Sequence, residues 1–346
     1  MTAFSIVVVA FRNADELVPL LDRLADEMRD GDELVVVDND PPAHGTAPVV
    51  DGHRVAARVI RSDANLGFAA GANLGARHAT ADAILFLNPD CVPEPGFLDA
   101  MRTPPAGWDA WMGLVTLPDG EHVNTSGGRS HFLGLSWTGD FGAPVDSIDP
   151  RPHEVGFLSG ACLAIRRGVW EELGGFPEGF FMYLEDVDLS HRLRLGGHRF
   201  GVLPAARVRH DYVFEKGRMK WVYLEANRWL CVLRTYPRRL LALVLPAMLL
   251  AEPVLLAMAV AGGWGGPKLR ALARVAALLP GALAERRQVQ RAARVSAAEF
   301  AQGLCSALDS PFMGAVGRSR LPSAVMGAYW AVVRAALGRT ASTRRR

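Results

Sequence analysis

Short apolar, β-branched runs alternate with segments whose apolar residues recur every three or four positions through the first 90 residues. Residues 5–11, 33–37, 55–60 and 83–87 read as strands, while 15–28 places Leu17, Leu20, Leu21 and Leu24 at helical spacing. The alanine-rich stretch 67–80 predicts a second helix. Strands that are apolar throughout and alternate with helices imply an α/β fold, a doubly wound and mainly parallel sheet flanked by helices. In such sheets ligands bind beyond the carboxyl ends of the strands.

Further along, the pattern weakens. Residues 108–152 are rich in glycine with scattered aromatics and predict only loops and short strands, a stretch placed to cover a pocket. A strand-like pattern returns over 156–166, followed by a short helix at 169–173 stopped by Gly174 and Gly175. A helix over about 185–195 ends at Gly196 and Gly197, and strand residues 200–203 and 206–208 lead into Arg209 and His210.

Polar residues gather where the first strands end: Arg12 and Asn13, Asp38 to Asp40, Asp63 to Asn65, and Asn88 to Asp90. Each cluster alone could be a turn, since Asn, Asp and Pro favour turns. Four successive strand ends carrying acids or amides point to a binding site. No GxGxxG follows the first strand and no GxxxxGK[ST] occurs, which disfavours a dinucleotide or P-loop site. At Phe180-Phe181-Met182-Tyr183-Leu184-Glu185-Asp186-Val187-Asp188 an aromatic cluster runs into three acids. Acids are favoured at a helix start by the dipole, but acids in apolar company are also where carboxyl groups shift toward chemistry.

Charge divides the chain. Residues 216–346 carry 21 Lys and Arg against five acids, a net of +16, whereas 1–215 have 17 basic against 31 acidic side chains, a net of −14. Residues 240–262 contain one charge, Glu252, and are long enough to cross a hydrocarbon layer of about 30 Å. Pro246, Pro253 and Glu252 interrupt that run, and seven basic residues lie on each side, at 216–239 and 263–300. A single span would put one cluster outside, against the positive-inside tendency, so a re-entrant or in-plane arrangement is expected. Leu269, Leu272, Val275, Leu279 and Leu283 then fall on one helical face ringed by Lys268, Arg270, Arg274, Arg286 and Arg287, a basic amphipathic pattern suited to anionic lipid. An ordinary helical subdomain with a solvated basic face is the alternative. A further helix is expected over 325–337, with a solvated end at 344–346. Nucleic acid is not expected as a partner, because the basic residues flank apolar helices without interleaved aromatics. The four cysteines are far apart and form no CxxC pair, in keeping with reduced thiols and no zinc site, and the N-terminus lacks a signal-peptide pattern.

Seven segments, SIVVVAFRN, VVVDND, DANLGFAAGANLGARHA, LFLNPDC, GFLSGACLAIRR, GGFPEGFFMYLEDVDLSHRLRLGGHRF and VRH, stand in the order and spacing of the inverting family 2 glycosyltransferases. The chain resembles their bacterial rhamnosyltransferase-like and galactofuranosyltransferase-like members. The likeness runs from Ser5 to about His210 and extends, more loosely, into the basic tail.

The resemblance implies a GT-A domain over 1–215 and a membrane-associating helical region over 216–346, at the cytoplasmic face of the membrane as a peripheral or monotopic protein. It implies transfer of a sugar such as L-rhamnose or galactofuranose from a UDP or dTDP donor to a lipid-linked or cell-envelope glycan acceptor. Mg²⁺ or Mn²⁺ is then expected on Asp90 and His210, with Asn88 standing where a first acid is common. Asp186 is expected as the base, with Glu185 orienting the acceptor or tuning its neighbour, and Asp188 in a structural role. Ala10, Arg12, Asp38, Asp63, Asn65 and Gly67 would contact the nucleotide, and Ser159, Gly160, Phe181 and Tyr183 would line the acceptor side. His78 and His191 are expected to be structural. The alternative to an enzyme is a non-catalytic, membrane-tethered scaffold of the same fold.

Overall fold

The computed structural model describes residues 2–41, 43, 45–211, 217–309 and 320–343. In chain order the elements are β1 (Phe4–Ala10), α1 (Ala14–Glu27), β2 (Glu33–Asp38), α2 (Thr46–Asp51), β3 (Arg58–Arg61), α3 (Gly67–Ala76), β4 (Ala83–Leu87), β5 (Cys91–Pro93), α4 (Phe97–Met101), β6 (Trp108–Thr116) and β7 (Val123–Thr125). They continue with β8 (Gly128–His131), β9 (Ser136–Thr138), β10 (His153–Glu154), β11 (Cys162–Arg166), α5 (Arg167–Leu173), α6 (Glu185–Leu195) and β12 (Arg199–His210). Helices α7 (Lys220–Thr235), α8 (Arg238–Ala261), α9 (Gly265–Arg291) and α10 (Ala297–Ala301), strand β13 (Leu304–Cys305) and helix α11 (Arg320–Thr343) complete the chain.

The chain forms two compact units, residues 1–128, 138–189 and 198–214 in the first and 129–137, 190–197 and 215–346 in the second. In the first unit the sheet runs β10-β12-β6-β11-β4-β1-β2-β3, with β5 on β12 and β7 on β6. Strands β4, β1, β2 and β3 are mutually parallel, and β11 joins antiparallel to both β4 and β6. Every residue of β1 is buried, as a strand covered on both faces requires. Helix α3 lies close to that strand because Gly75 has no side chain there; a Cβ would come within 2.5 Å of Val7 Cγ1.

Several elements differ from the sequence pattern for physical reasons. The third strand is Arg58–Arg61, shifted from 55–60, and α3 stops at Ala76 where 67–80 was expected. Strand β6, in the stretch without clear periodicity, is nine residues long and buried at every position but one, so it carries no alternation to read. The two short strands expected near 200–208 are one strand, β12, whose pairing with β6 shifts register between Leu203 and Arg207.

The second unit packs Phe132, Trp229, Val232, Tyr236, Leu240, Met248, Phe300 and Trp330 into a single core, with the Phe132 and Trp330 rings stacked at 5.0 Å. His191 is buried within it, its ring nitrogens 3.1 Å from Thr235 Oγ1 and 3.3 Å from Ser130 Oγ, a structural placement. All four cysteines are free thiols. The expected solvated end at 344–346 lies outside the described residues.

Candidate active site

Strands β4 and β12 carry the first group of polar side chains. The antiparallel pairing of β5 with β12 sets His210 opposite Cys91, which brings its imidazole next to the residues that follow β4. His210 Nε2 lies 3.1 Å from Asp90 Oδ1 and 3.4 Å from Asn88 Nδ2. Ligand atoms of Asp90, Cys91 and His210 all fall within 4.8 Å of one another. The Cys91 thiol donates to the Ala161 carbonyl at 3.3 Å, and burial, together with the Asp90 charge, pushes it well above the ordinary thiol range. Its sulfur is also a softer donor than a hard, oxygen-seeking cation prefers. What remains is a carboxylate, one imidazole and a neighbouring amide, a donor set that fits Mg²⁺ or Mn²⁺.

Helix α6 carries the second group. Asp186 Oδ2 accepts the Gly160 N–H at 2.9 Å, and Oδ1 accepts the Val187 N–H at 2.8 Å. Burial raises the Asp186 carboxyl above its ordinary range, and those two N–H groups pull it part of the way back. Glu185 is buried, and Oε2 has no hydrogen-bond partner among the described residues. Burial first, then the charge of Asp186, pushes Glu185 well above the ordinary carboxylate range. The same environment divides the pair: burial together with the charge of its neighbour raises Glu185 further from its ordinary range than burial raises Asp186.

That division gives a stability prediction. A folded Glu185 with a raised pKa retains a proton that the unfolded chain releases above about pH 4.3, so its burden on stability grows as pH rises from there toward the folded value. Glu185→Gln, which mimics the neutral acid, is expected to melt higher than the parent at pH 7 and at the same temperature near pH 4, read by thermal unfolding. An equal or lower Tm at pH 7 would mean that Glu185 is ionised and paired.

The chain enters α6 through strained backbone. Phe181, Tyr183 and Leu184 have φ of 67°, 68° and 63°, uncommon for residues with a Cβ. Phe181 has ψ of −61°, and the Met182 N–H returns to the Phe180 carbonyl at 2.8 Å, which makes a γ-turn of the rare, strained kind. The Phe181 carbonyl is in turn held by the Ala69 N–H at 3.1 Å, at the start of α3. Gly67, with φ of 74°, sits directly beneath: a Cβ there would lie 2.4 Å from Phe181 O.

The ends of β1, β2 and β3 form the third group. Asp38 is fully buried, with Oδ2 accepting the Ala47 N–H at 3.0 Å and Oδ1 accepting the Asp40 N–H at 3.4 Å. Asn39 is a hub: its Oδ1 accepts from Leu66 N and Ser62 Oγ, and its Nδ2 donates to the Gly67 carbonyl and Asn65 Oδ1. Arg12, 73% exposed and at φ of 57°, reaches Asp40 at 3.2 Å. Its guanidinium also lies over the Phe11 ring.

Residues 5–174 match the family description Glycosyl transferase family 2. The chain carries a family 2 glycosyltransferase domain. Among its relatives, N-acetylglucosaminyl-diphospho-decaprenol L-rhamnosyltransferase of Mycobacterium tuberculosis is 31% identical over 195 residues. That alignment covers 49% of this chain and 64% of the relative, so the chain spans a little under two thirds of the relative's length. The low-salt glycan biosynthesis hexosyltransferase Agl10 of Haloferax volcanii is 23% identical over 250 residues, 65% of this chain and 74% of that one. In structure, the domain has the GT-A fold: GalNAc-T7, solved with UDP, GalNAc and Mn²⁺, superimposes with a TM-score of 0.58 at 15% identity over 70% of this chain and 50% of that one.

The residues picked out by sequence fall into the three groups just described, those up to Gly160 within the matched stretch and those from Phe181 to His210 beyond it. Asp90, Asn88 and His210 come together, Asp186 meets Gly160 beside Ser159, and Gly67 meets Phe181. Phe181 and Tyr183 are half-buried on the approach to α6, and Asp188 is fully buried. Asp63 and Asn65 are exposed, and Ala10 is buried with its carbonyl accepting the Asn39 N–H at 2.9 Å. Asp38, expected to face the base, spends both oxygens on backbone N–H groups, and the neighbouring Asp40 is the acid that meets Arg12. Asn39 and Asp40 stood in one of the polar clusters without a role of their own, and Phe11 was not singled out. The triplet Asp38-Asn39-Asp40 was visible, but which of its side chains turns inward depends on the α2 loop, whose Ala47 N–H claims Asp38.

Proposed function

We propose that this chain is an inverting glycosyltransferase that moves L-rhamnose or galactofuranose from a UDP or dTDP donor to a lipid-linked or cell-envelope glycan acceptor. The observation that carries the reading is the Asp186 carboxylate, half-buried at the start of α6 and fixed by the Gly160 and Val187 N–H groups. Two backbone bonds hold it in one orientation, as a general base requires. Asp186 takes the proton of the acceptor hydroxyl as that oxygen bonds to the anomeric carbon. The bond from that carbon to the diphosphate oxygen breaks on the opposite face, and its electron pair leaves with the nucleoside diphosphate. One displacement inverts the anomeric centre, with no covalent intermediate on the chain.

Bound to Asp90 and His210, Mg²⁺ or Mn²⁺ would supply the positive charge that stabilises the leaving diphosphate. Asn88 removes one negative charge from the site. The Asn39 hub holds the Asp63 to Gly67 segment against the end of β2, where it would border the nucleotide with Ala10, Arg12 and Asp38. Ser159, Gly160, Phe181 and Tyr183 would line the acceptor side. The 31% identity to a rhamnosyltransferase makes L-rhamnose the first sugar to try, and the acceptor named for that relative, a diphospho-decaprenol, makes a polyprenyl-linked glycan the first acceptor. Residues 216–346 would keep the domain at the cytoplasmic membrane face, where such an acceptor resides.

The test is an assay of the purified full chain with dTDP-L-rhamnose or UDP-galactofuranose and a short polyprenyl-diphosphate glycan. The expected product has the anomeric configuration opposite to the donor, by NMR, and chelation with EDTA is expected to reduce its formation at least tenfold, on the order of one lost charge-stabilising contact. Binding of a donor without release of nucleoside diphosphate under any of these conditions would favour the scaffold reading.

A further inference from the structure

The second unit contains two helices with exposed apolar stripes. On α8 the exposed positions Ala242, Pro246, Leu250, Val254, Ala257 and Val260 recur at helical spacing, and none is polar; Leu250 is 78% exposed. On α9, Leu269, Leu272, Ala276, Pro280 and Leu283 make a second exposed apolar stripe. Glu252 and Lys268 face inward, whereas the exposed charges of the two helices lie toward their ends. Lys268, 1% exposed, is bonded to Glu225 and lies 2.8 Å from Glu252 Oε2; Arg228 binds Glu225 at 3.1 Å and also Glu252. Trp229 Nε1 donates to the same Glu252 carboxylate at 3.1 Å. A helix on a water-soluble surface is instead polar on its outward face.

Helix α8 is long and apolar enough to cross a membrane by length and composition. Its charge partners argue against that orientation. Crossing would carry Glu252 into hydrocarbon together with Arg228 and Lys268, and ionised groups at that depth are strongly disfavoured. The exposed basic residues are also placed at both ends: Arg238 and Arg239 begin α8, Arg270 follows the turn into α9, and Arg287 and Arg291 end it. A helix lying flat keeps all of them at the headgroups of one leaflet. A span would carry one set across.

We propose that the exposed apolar faces of α8 and α9 dock into one anionic leaflet, with α8 in the plane of the membrane, fixed there by the ion pairs of Glu252 with Arg228 and Lys268. The occupant is lipid because the face is apolar and its ends carry five exposed arginines, Arg238, Arg239, Arg270, Arg287 and Arg291, against one exposed acid, Glu285, in a segment of net charge +16. This builds on the membrane-proximal placement given above and adds the surface and its orientation.

The full-length protein is mixed with vesicles of phosphatidylcholine alone or mixed with phosphatidylglycerol, and flotation is measured. Binding is expected to require phosphatidylglycerol and to fall at least about tenfold in the double variant Leu250→Asp with Val254→Asp, since two exposed side chains lose their burial. Both positions are exposed, so Tm and nucleotide binding of the variant are expected to match the parent. Separately, an environment-sensitive dye is attached at cysteines introduced at Ala242, Leu250 and Val260, and quenched by lipids labelled at known depth. Equal depths at all three support the in-plane helix; a profile deepest at 250 and shallow at both ends overturns it. Undiminished flotation of the double variant, or a dimer that the variant converts to monomer without change in flotation, overturns the lipid surface. Transfer to a water-soluble acceptor is followed in parallel, so that failed flotation with intact transfer condemns the surface alone, and failed transfer with intact flotation condemns the enzymatic reading alone.

Discussion

Asp186→Asn is expected to lower glycosyl transfer by roughly 10²- to 10⁴-fold, the usual contribution of a positioned general base, while donor affinity changes little. The substitution keeps the shape of the side chain. One amide oxygen can still accept the Gly160 or the Val187 N–H, so the start of α6 should persist. What is lost is the capacity to take a proton from the acceptor hydroxyl. Steady-state rates with donor and acceptor, set beside calorimetric titration with the nucleoside diphosphate, separate the two effects. Equal loss of binding and rate would make Asp186 a structural residue. The parent should also show the pH signature of this base. Because burial raises the Asp186 carboxyl, activity is expected to fall on the acid side at a pH above the ordinary value of about 3.9, as the base becomes protonated. A limb at or below that ordinary value would place the proton acceptor elsewhere.

Gly67→Ala is expected to damage both nucleotide binding and turnover. The new methyl meets two obstacles. The backbone is at φ of 74°, where a residue with a Cβ is disfavoured by about 1 kcal/mol, and the methyl would lie 2.4 Å from the Phe181 carbonyl. Neither obstacle is the end of a flexible side chain, so the peptide at 181 or the start of α3 must move. The first movement pulls on the approach to Asp186, and the second disturbs the loop that Asn39 holds through Leu66 and Gly67. Displacement of a reacting group by about 1 Å commonly costs on the order of 10²-fold in rate. The expected result is therefore a rise in donor KM together with a fall in kcat of about that size. Gly168→Ala is the control, since nothing lies within 4 Å of a Cβ at that position. If Gly67→Ala raises KM alone, the donor loop and the approach to α6 are independent.

The fold was legible where burial imposed a simple pattern. Strands β1, β2 and β4 are apolar at nearly every position because they are covered on both faces, and α1 buries the four leucines its spacing displayed. Strand β6 was hidden by the same physics: full burial removes alternation, and Gly113 and two tryptophans lie inside a segment flanked by glycine-rich chain. The approach of His210 to Asp90 was legible only through family resemblance, because it depends on the antiparallel register of β5 and β12, residues more than a hundred positions apart. Asn39 escaped for a related reason. Its importance lies in four hydrogen bonds to a loop more than 20 residues away, and an asparagine between two aspartates after a strand looks like part of a turn. The inward-facing charge of α8 was half visible. The single acid at 252 stood out, but its cations at 228 and 268 could be assigned only once the helices were packed.

The left-handed backbone at Phe181, Tyr183 and Leu184 has a bearing on how this protein would respond to directed evolution for heat resistance. Glycine at any of the three would relieve a conformation that side chains rarely adopt, so a screen for thermal tolerance alone would be drawn to these positions. Such gains would come from the peptide that leads into Asp186, and residues 181 and 183 would lose the aromatic rings proposed to meet the acceptor. Selection under two pressures, heat and acceptor discrimination, would keep the strain in place, which makes this short segment the point at which durability and selectivity compete.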